Sequence, residues 1–371
     1  MAHKINWPDA LSAQLFLDNY WQKKPLLIRQ AFVQFDSPIS PDELAGLAIE
    51  PDTTPRLVLQ AEDGSYHLEH GPFAESRFTD LTDNNWSLLV TDVEKYLPDL
   101  STYLKPFTFL PSWRIDDLMI SYAPAGASVG AHVDQYDVFL LQASGSRQWQ
   151  IDASDYPDLA LQTESDLKLV ANFNATDTYV LAPGDMLYLP PGVPHHGIAD
   201  SDNCTTWSIG FRAPTDAEIA MGFAEMLSTS LAGSRYNDPS LTIATPGEIS
   251  QAVLDVFGAR WRSMSQLSKE QLQAFTGMLL TAPANKEHRE FYELSDAKNG
   301  CWSKHPFSRA AFTGEGETVI LYADAVTYPQ CSRAFAQIVC SGDDIVSADL
   351  SADDKNVLVQ LIDAGVLVPV D

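Results

Sequence analysis

The sequence predicts a mixed α+β protein built round a β-sandwich or barrel, with helices following it. Three observations carry this expectation. Between residues 118 and 212, short β-branched or aromatic runs recur at 118–122, 136–141, 147–151, 178–181, 186–189 and 206–212. They are cut by Ala123-Pro-Ala-Gly, Ala143-Ser-Gly-Ser and Ala182-Pro-Gly-Asp, which are turn chemistry, and closely spaced short strands argue for a sandwich or barrel. After Pro214 the apolar spacing turns helical.

Upstream, residues 1–116 mix helical patterns over 10–20 and 41–47 with strand-like runs at 25–29 and 56–60, a cap feeding a sheet. Downstream, three helix starts place a Ser or Thr three residues before Glu or Gln, at Thr215…Glu218, Thr245…Glu248 and Ser268…Gln271. Each pair can satisfy orphan amides at a helix N-terminus. Apolar residues follow at helical spacing: Ile249, Val253, Val256 and Phe257, then Leu272, Phe275, Met278 and Leu279. Such a segment can be core, linker or interface. The last stretch orders a strand at 318–322, helices at 332–339 and 351–364, the second closed by Gly365, and a strand at 366–370. That order suits a small winged-helix-like module.

A chain of 371 residues suggests two or three domains at about 100–200 residues each. With 45% apolar, 10% aromatic and 20% charged residues it is a globular composition, neither disordered nor collagen-like. No apolar run is long enough for a transmembrane helix, and the first residues lack a basic stretch followed by an apolar one, so a cytoplasmic location is expected. The net charge of −27 repels phosphate backbones and anionic lipid. Nucleic acid and membrane are therefore poor partners, and a basic protein or peptide is a good one, unless the acidity serves only solubility. The last seventy residues are acidic too, which argues against DNA binding there. Cys204, Cys301, Cys331 and Cys340 form no Cys-x-x-Cys pair, so neither a zinc site nor a disulfide framework is indicated.

The informative stretches are Gly126-Ala-Ser-Val-Gly-Ala-His132-Val-Asp134-Gln-Tyr136 and Gly184-Asp-Met-Leu-Tyr-Leu-Pro190-Pro-Gly192-Val-Pro-His195. On a strand, residues two apart share a face, which would aim His132, Asp134 and Tyr136 together. His195 from a distant strand completes two imidazoles and one carboxylate, the facial triad of non-haem Fe(II) oxygenases. His132 and Asp134 alone would be an ordinary hydrogen-bonded pair; the second stretch makes the metal reading specific. His196 is the rival ligand, but neighbouring strand residues face opposite ways. Arg147, alternating with Trp149 and Ile151 on one face of its strand, offers a guanidinium for a carboxylate, or else a surface salt bridge. Thr206 and Ser208 on the last core strand are weaker helpers.

These stretches resemble the two motifs of the cupin superfamily, Gly-x5-His-x-His…Glu…Gly and Gly-x5-Pro-x-Gly-x2-His. Asp134 replaces the second histidine and Val138 the glutamate, which resembles the Jumonji-C branch. Read with Tyr20-Trp-Gln-Lys-Lys-Pro-Leu-Leu-Ile-Arg29, Ile115-Asp-Asp117-Leu-Met and Ser208-Ile-Gly-Phe-Arg-Ala-Pro214, the chain resembles the bacterial ribosomal oxygenases. The resemblance implies a double-stranded β-helix with an N-terminal cap over 1–214, a helical dimerisation region over 215–299, a winged-helix-like domain over 300–371, and a homodimer. It implies Fe(II), with 2-oxoglutarate and O2 as cosubstrates. His132, Asp134 and His195 would hold the metal, and Arg147, with Thr206 and Ser208, the distal carboxylate of 2-oxoglutarate. The implied reaction hydroxylates a side chain of a basic large-subunit ribosomal protein, arginine in the bacterial enzyme and histidine in eukaryotic relatives. The match being nearest the bacterial form, arginine is expected, with Asp117 pairing the guanidinium and Tyr136 packing against it. Each has a plainer reading, Asp117 as a solvated strand-edge carboxylate and Tyr136 as a core aromatic. Histidyl hydroxylation, N-methyl demethylation and a non-catalytic docking module are the alternatives.

Overall fold

The computed structural model describes residues 4–8, 11–154, 157, 159–162, 167–230, 235–237, 247, 249–283 and 300–370. Two compact units divide the chain, Met1–Ala213 and Pro214–Asp371.

Among the described residues the first unit carries eleven strands: β1 (Leu26–Ile28), β2 (Pro55–Gln60), β3 (Tyr66–His70), β4 (Trp86–Val90), β5 (Ile115–Ala123), β6 (Asp137–Ser144), β7 (Arg147–Ile151), β8 (Asp177–Leu181), β9 (Met186–Leu189), β10 (His195–Ala199) and β11 (Cys204–Phe211). Eight form one sheet in the order β1-β9-β6-β11-β5-β4-β2-β3, and three form a second, β10-β7-β8. All described pairings in both sheets are antiparallel. Alternation along the strands sorts their side chains. On β11, Trp207, Ile209 and Phe211 join a large cluster with Phe16, Phe107, Phe139 and Tyr188, while Thr206, Ser208 and Gly210 line a cavity. Val138, Leu140, Trp149, Ile151, Leu181 and Leu187 pack between the sheets. The region upstream of residue 116 does more than cap: β2, β3 and β4 extend the main sheet from β5.

Two local features fix β9 and β6. Gly184 turns the chain into β9 at φ +88°, a conformation L side chains rarely adopt, and a Cβ there would lie 2.3 Å from the Phe32 carbonyl oxygen. Behind β6, Asp137 is fully buried and accepts hydrogen bonds from Tyr188 Oη (2.6 Å), Arg114 Nη2 (3.0 Å) and Gln22 Nε2 (3.0 Å).

The expected strand through His132 and Tyr136 is absent. Only His132 bridges, to Leu169 on one side and His195 on the other. Beyond it the chain follows the turn before β10, where Gly192 N–H donates to the Asp134 carbonyl (2.8 Å) instead of entering a ladder. The first helix runs Ala13–Asn19 under a Ser12 cap, and the expected start at Ala10 lies outside the described residues. Pro41–Leu47 is helical with a full capping box from Ser40 and Glu43.

In the second unit helices span Asp216–Ser230, Gln251–Met264 and Lys269–Leu280. Thr215 and Glu218 cap the first reciprocally, as Ser268 and Gln271 cap the third; Thr245 and Glu248 lie outside the described residues. Leu254, Phe257 and Trp261, at helical spacing, are each more than half exposed. The C-terminal part has two three-stranded sheets and helices Arg333–Ser341 and Ala352–Asp363, packed round Trp302, Leu321, Phe335 and Leu361. The four cysteines are free. Among the described residues no helix is long and apolar enough to cross a membrane.

Candidate metal centre and cavity

His132 and His195 are neighbours because their backbones pair: His132 N–H donates to His195 O (3.0 Å) and His195 N–H to His132 O (2.9 Å). Two ligand candidates far apart in sequence are thereby fixed side by side, with ring centroids 4.3 Å apart. Each ring is oriented by its other nitrogen. His132 Nδ1 donates to Gly130 O (3.0 Å) and His195 Nδ1 to Val193 O (2.9 Å), which leaves the Nε2 lone pairs free. Asp134 Oδ2 lies 3.6 Å from His195 Nε2. The ligand atoms of His132, Asp134 and His195 all fall within 4.8 Å of one another. Burial, and then the His132 ring beside it, hold the His195 imidazolium well below its ordinary range, so the imidazole is neutral as a metal ligand must be.

His196 faces away. It is half-buried, its ring lies edge-on to Phe173, and it is absent from the cavity wall. The alternation along β10 thus places His195, and not His196, beside His132 and Asp134.

The triad opens into a cavity of about 420 Å³. The five further site candidates border it: Arg147 from β7, Thr206 and Ser208 from β11, Asp117 from β5, and Tyr136. Arg147 is 2% exposed, its guanidinium stands over the Trp149 ring (5.7 Å), and Nε and Nη2 are buried without a hydrogen-bond partner. A buried cation with unspent donors is costly unless a ligand satisfies it. The surface salt bridge weighed for Arg147 is therefore not what it makes. Thr206 is tied down, its hydroxyl donating to Gln142 Oε1 (3.0 Å), while Ser208 is 8% exposed.

Asp117 and Tyr136 meet across Gly210. A Cβ at Gly210 would lie 2.8 Å from Asp117 Oδ1 and 3.9 Å from Tyr136 Cε2, so the missing side chain is what lets the pair approach. Neither plainer reading holds, because Asp117 is largely enclosed and the Tyr136 ring is 41% exposed at the cavity wall. Burial first, then Asp92 and Asp116, push the Asp117 carboxyl up to about 7. Behind it Glu94, 8% exposed, accepts from Leu118 N–H (2.9 Å) and is likewise raised to about 7, chiefly by burial. Sequence reasoning missed Glu94, and also Arg56, Thr91 and Met119 on the cavity floor. Only cross-strand register brings these together, and no local motif marks them.

The donor set and the orphaned Arg147 fit one divalent metal beside one dicarboxylate. A model of the JmjC domain matches residues 102–219, and one of the AraC-like ligand binding domain matches residues 174–274. The chain is 43% identical over 243 residues to the ribosomal protein uL16 3-hydroxylase of Escherichia coli, covering 64% of this chain and 61% of that protein. It is 34% identical over 290 residues to a probable ribosomal oxygenase of Haemophilus influenzae, covering 76% and 66%. The alignments thus span about three fifths to two thirds of these relatives' own lengths. The structure of the Escherichia coli ribosomal oxygenase YcfD in complex with cobalt and 2-oxoglutarate matches with a TM-score of 0.81 at 30% identity, covering the whole of both chains. Likeness of that extent, together with the triad, decides the family: the chain belongs to the JmjC-domain ribosomal oxygenases.

Proposed function

We propose that this protein is an Fe(II)- and 2-oxoglutarate-dependent oxygenase that hydroxylates an arginine side chain of a large-subunit ribosomal protein. The observation that carries the reading is the pairing, in one cavity, of the His132, Asp134 and His195 ligand set with the unpartnered buried fork of Arg147. Iron(II) and 2-oxoglutarate, when bound, supply the oxidising power that activates O2 toward an unactivated C–H bond. The chain supplies the rest. His132, Asp134 and His195 would hold the ion and leave positions open for the cosubstrates. Arg147 would grip the distal carboxylate in two parallel hydrogen bonds, with Ser208 and Thr206 beside it. Val138, Leu140 and Trp149 form an apolar wall that excludes water. Asp117 would accept from the target guanidinium, and the Tyr136 ring would pack against its face.

Charge supports the partner. A chain carrying −27 attracts a basic ribosomal protein and repels RNA and membrane, which suits action in the cytoplasm. The exposed Leu254, Phe257 and Trp261 support a homodimer formed through residues 215–299, with 300–371 as a winged-helix-like domain.

The test is reconstitution. Purified ribosomal protein uL16 incubated with the enzyme, Fe(II), 2-oxoglutarate and O2 gains one oxygen atom on an arginine, with stoichiometric succinate. An unmodified uL16, or oxygen on histidine only, overturns the arginine assignment; absence of succinate with any ribosomal protein overturns the oxygenase assignment.

A further inference from the structure

The cavity holds a second guanidinium that the reading above does not use. Arg56 lies on β2, half-buried and on the cavity wall. Its Cα pairs with Leu89 on β4, which pairs with Ser121 on β5. The side chain nevertheless reaches Met119, two residues before Ser121, with Nη2 3.4 Å from the Met119 sulfur. It therefore lies along the floor over β4 and ends beside Asp117, the next residue but one on the same face of β5.

Two facts make this placement unusual. A thioether is a weak acceptor, and it is the single hydrogen-bond partner of the Arg56 side chain among the described residues, although a guanidinium carries five N–H donors. Asp117, near enough to be influenced by Arg56, makes no ion pair with it. Thr91 borders the same floor, its hydroxyl held by the Thr54 hydroxyl and donating to the Thr54 carbonyl (3.2 Å). Around these groups stand Val58, Leu68 and Leu89, an apolar surround in which an unspent donor gains most from a partner.

We infer that Arg56 is a specificity-determining residue of the substrate site: its free N–H donors take an oxygen acceptor of the ribosomal-protein segment flanking the target arginine, while Asp117 takes the target's own cation. The inference rests on the proposed arginine hydroxylation and adds a second anchor of opposite charge. Such a pair defines register. A segment offering a cation to Asp117 and an oxygen to Arg56 is held at two points, whereas a cationic side chain placed on the Arg56 side is repelled. The oxygen has two possible sources, a main-chain carbonyl or an acidic side chain.

The experiment uses the full chain with a divalent metal and an arginine-bearing uL16 peptide. Peptide binding is read by calorimetry, and separately the KM and kcat for peptide and the KM for 2-oxoglutarate. Arg56→Ala raises the peptide Kd and KM about tenfold, the loss expected for a hydrogen bond to a charged group, with kcat and the KM for 2-oxoglutarate moving far less. Arg56→Lys restores part of the loss, which a merely structural arginine would not show in peptide KM alone. Replacing acidic peptide residues by their amides separates the sources: if one replacement removes the sensitivity to Arg56→Ala, the acceptor is that carboxylate, and if none does, it is a carbonyl. Unchanged peptide Kd in Arg56→Ala, or a loss appearing in 2-oxoglutarate KM instead, overturns the inference. Wild-type protein that fails to hydroxylate the peptide fails the functional reading itself, and that result is distinct from the other two.

Discussion

Two arginines of the first unit, Arg114 half-buried and Arg147 buried, have opposite surroundings. Arg114, behind the main sheet, reaches a fully buried carboxylate, Asp137, at 3.0 Å and stacks over Trp21 at 5.3 Å. Arg147, facing the cavity, is more deeply buried and has no carboxylate, only an aromatic face beneath it and two unspent nitrogens. The fold neutralises the first from its own residues and gives the second no such partner. Residue by residue the same division runs along β6 and β10: Asp137 and His196 turn away from the cavity, Val138 and His195 toward it.

The largest effect expected from this division is at the ligands. His132→Ala, Asp134→Ala and His195→Ala each abolish 2-oxoglutarate turnover in a protein whose circular dichroism and melting remain close to wild type, whereas His196→Ala keeps most of it. A reversed order of His195 and His196 in a succinate assay would break the comparison. Next come the arginines. Arg114→Met strands the Asp137 carboxylate and costs about 3–5 kcal/mol in denaturant unfolding. Arg147→Met relieves an unpaired buried charge, so the ligand-free protein melts no lower than wild type, while the 2-oxoglutarate KM rises about tenfold or more. Arg147→Lys does not restore that KM fully, because a point charge lacks the planar fork. Equal destabilisation by both methionine variants would place Arg147 with the structural arginines.

A smaller effect concerns pH. The Asp117 carboxyl is raised to about 7 by burial, with Asp92 and Asp116 raising it further and Lys95 and Arg56 opposing; Glu94 and Tyr136 complete its surroundings. A carboxyl with a raised value is neutral below it and anionic above it, and only the anion pairs a guanidinium. Affinity for an arginine peptide therefore rises from about pH 6 to about pH 8, with proton release on binding. Asp117→Asn binds weakly and flattens that rise; a wild-type affinity independent of pH contradicts the role of Asp117. The smallest effect is ionic. Raising salt slows encounter with the basic partner through screening of the acidic surface, while the 2-oxoglutarate KM, set inside the cavity, changes little.

Much of the site was legible because two spaced motifs and alternation along strands are local properties. The run 147–151 is β7 to the residue, and alternation there puts Arg147 and Trp149 on the cavity side. What failed is instructive. His132, Asp134 and Tyr136 do line one cavity, but through a bridge at His132 and a loop laid along the Gly192 turn, not through strand periodicity. β10 was legible as a strand only through the motif that ends on His195, because His195-His-Gly-Ile-Ala lacks a β-branched run and is held by its pairing to β7. Arg56 and Met119, far apart in the chain, meet only through the β2-β4-β5 register, and that register is set by tertiary packing.

The most direct test of the central claim is mass spectrometry of large-subunit ribosomal proteins from cells with and without this gene. The account predicts one protein whose arginine carries an added oxygen atom only when the gene is intact, and which loses it in cells expressing the Asp134→Ala form. Identical spectra in the three strains, or an added oxygen confined to histidine, would contradict it.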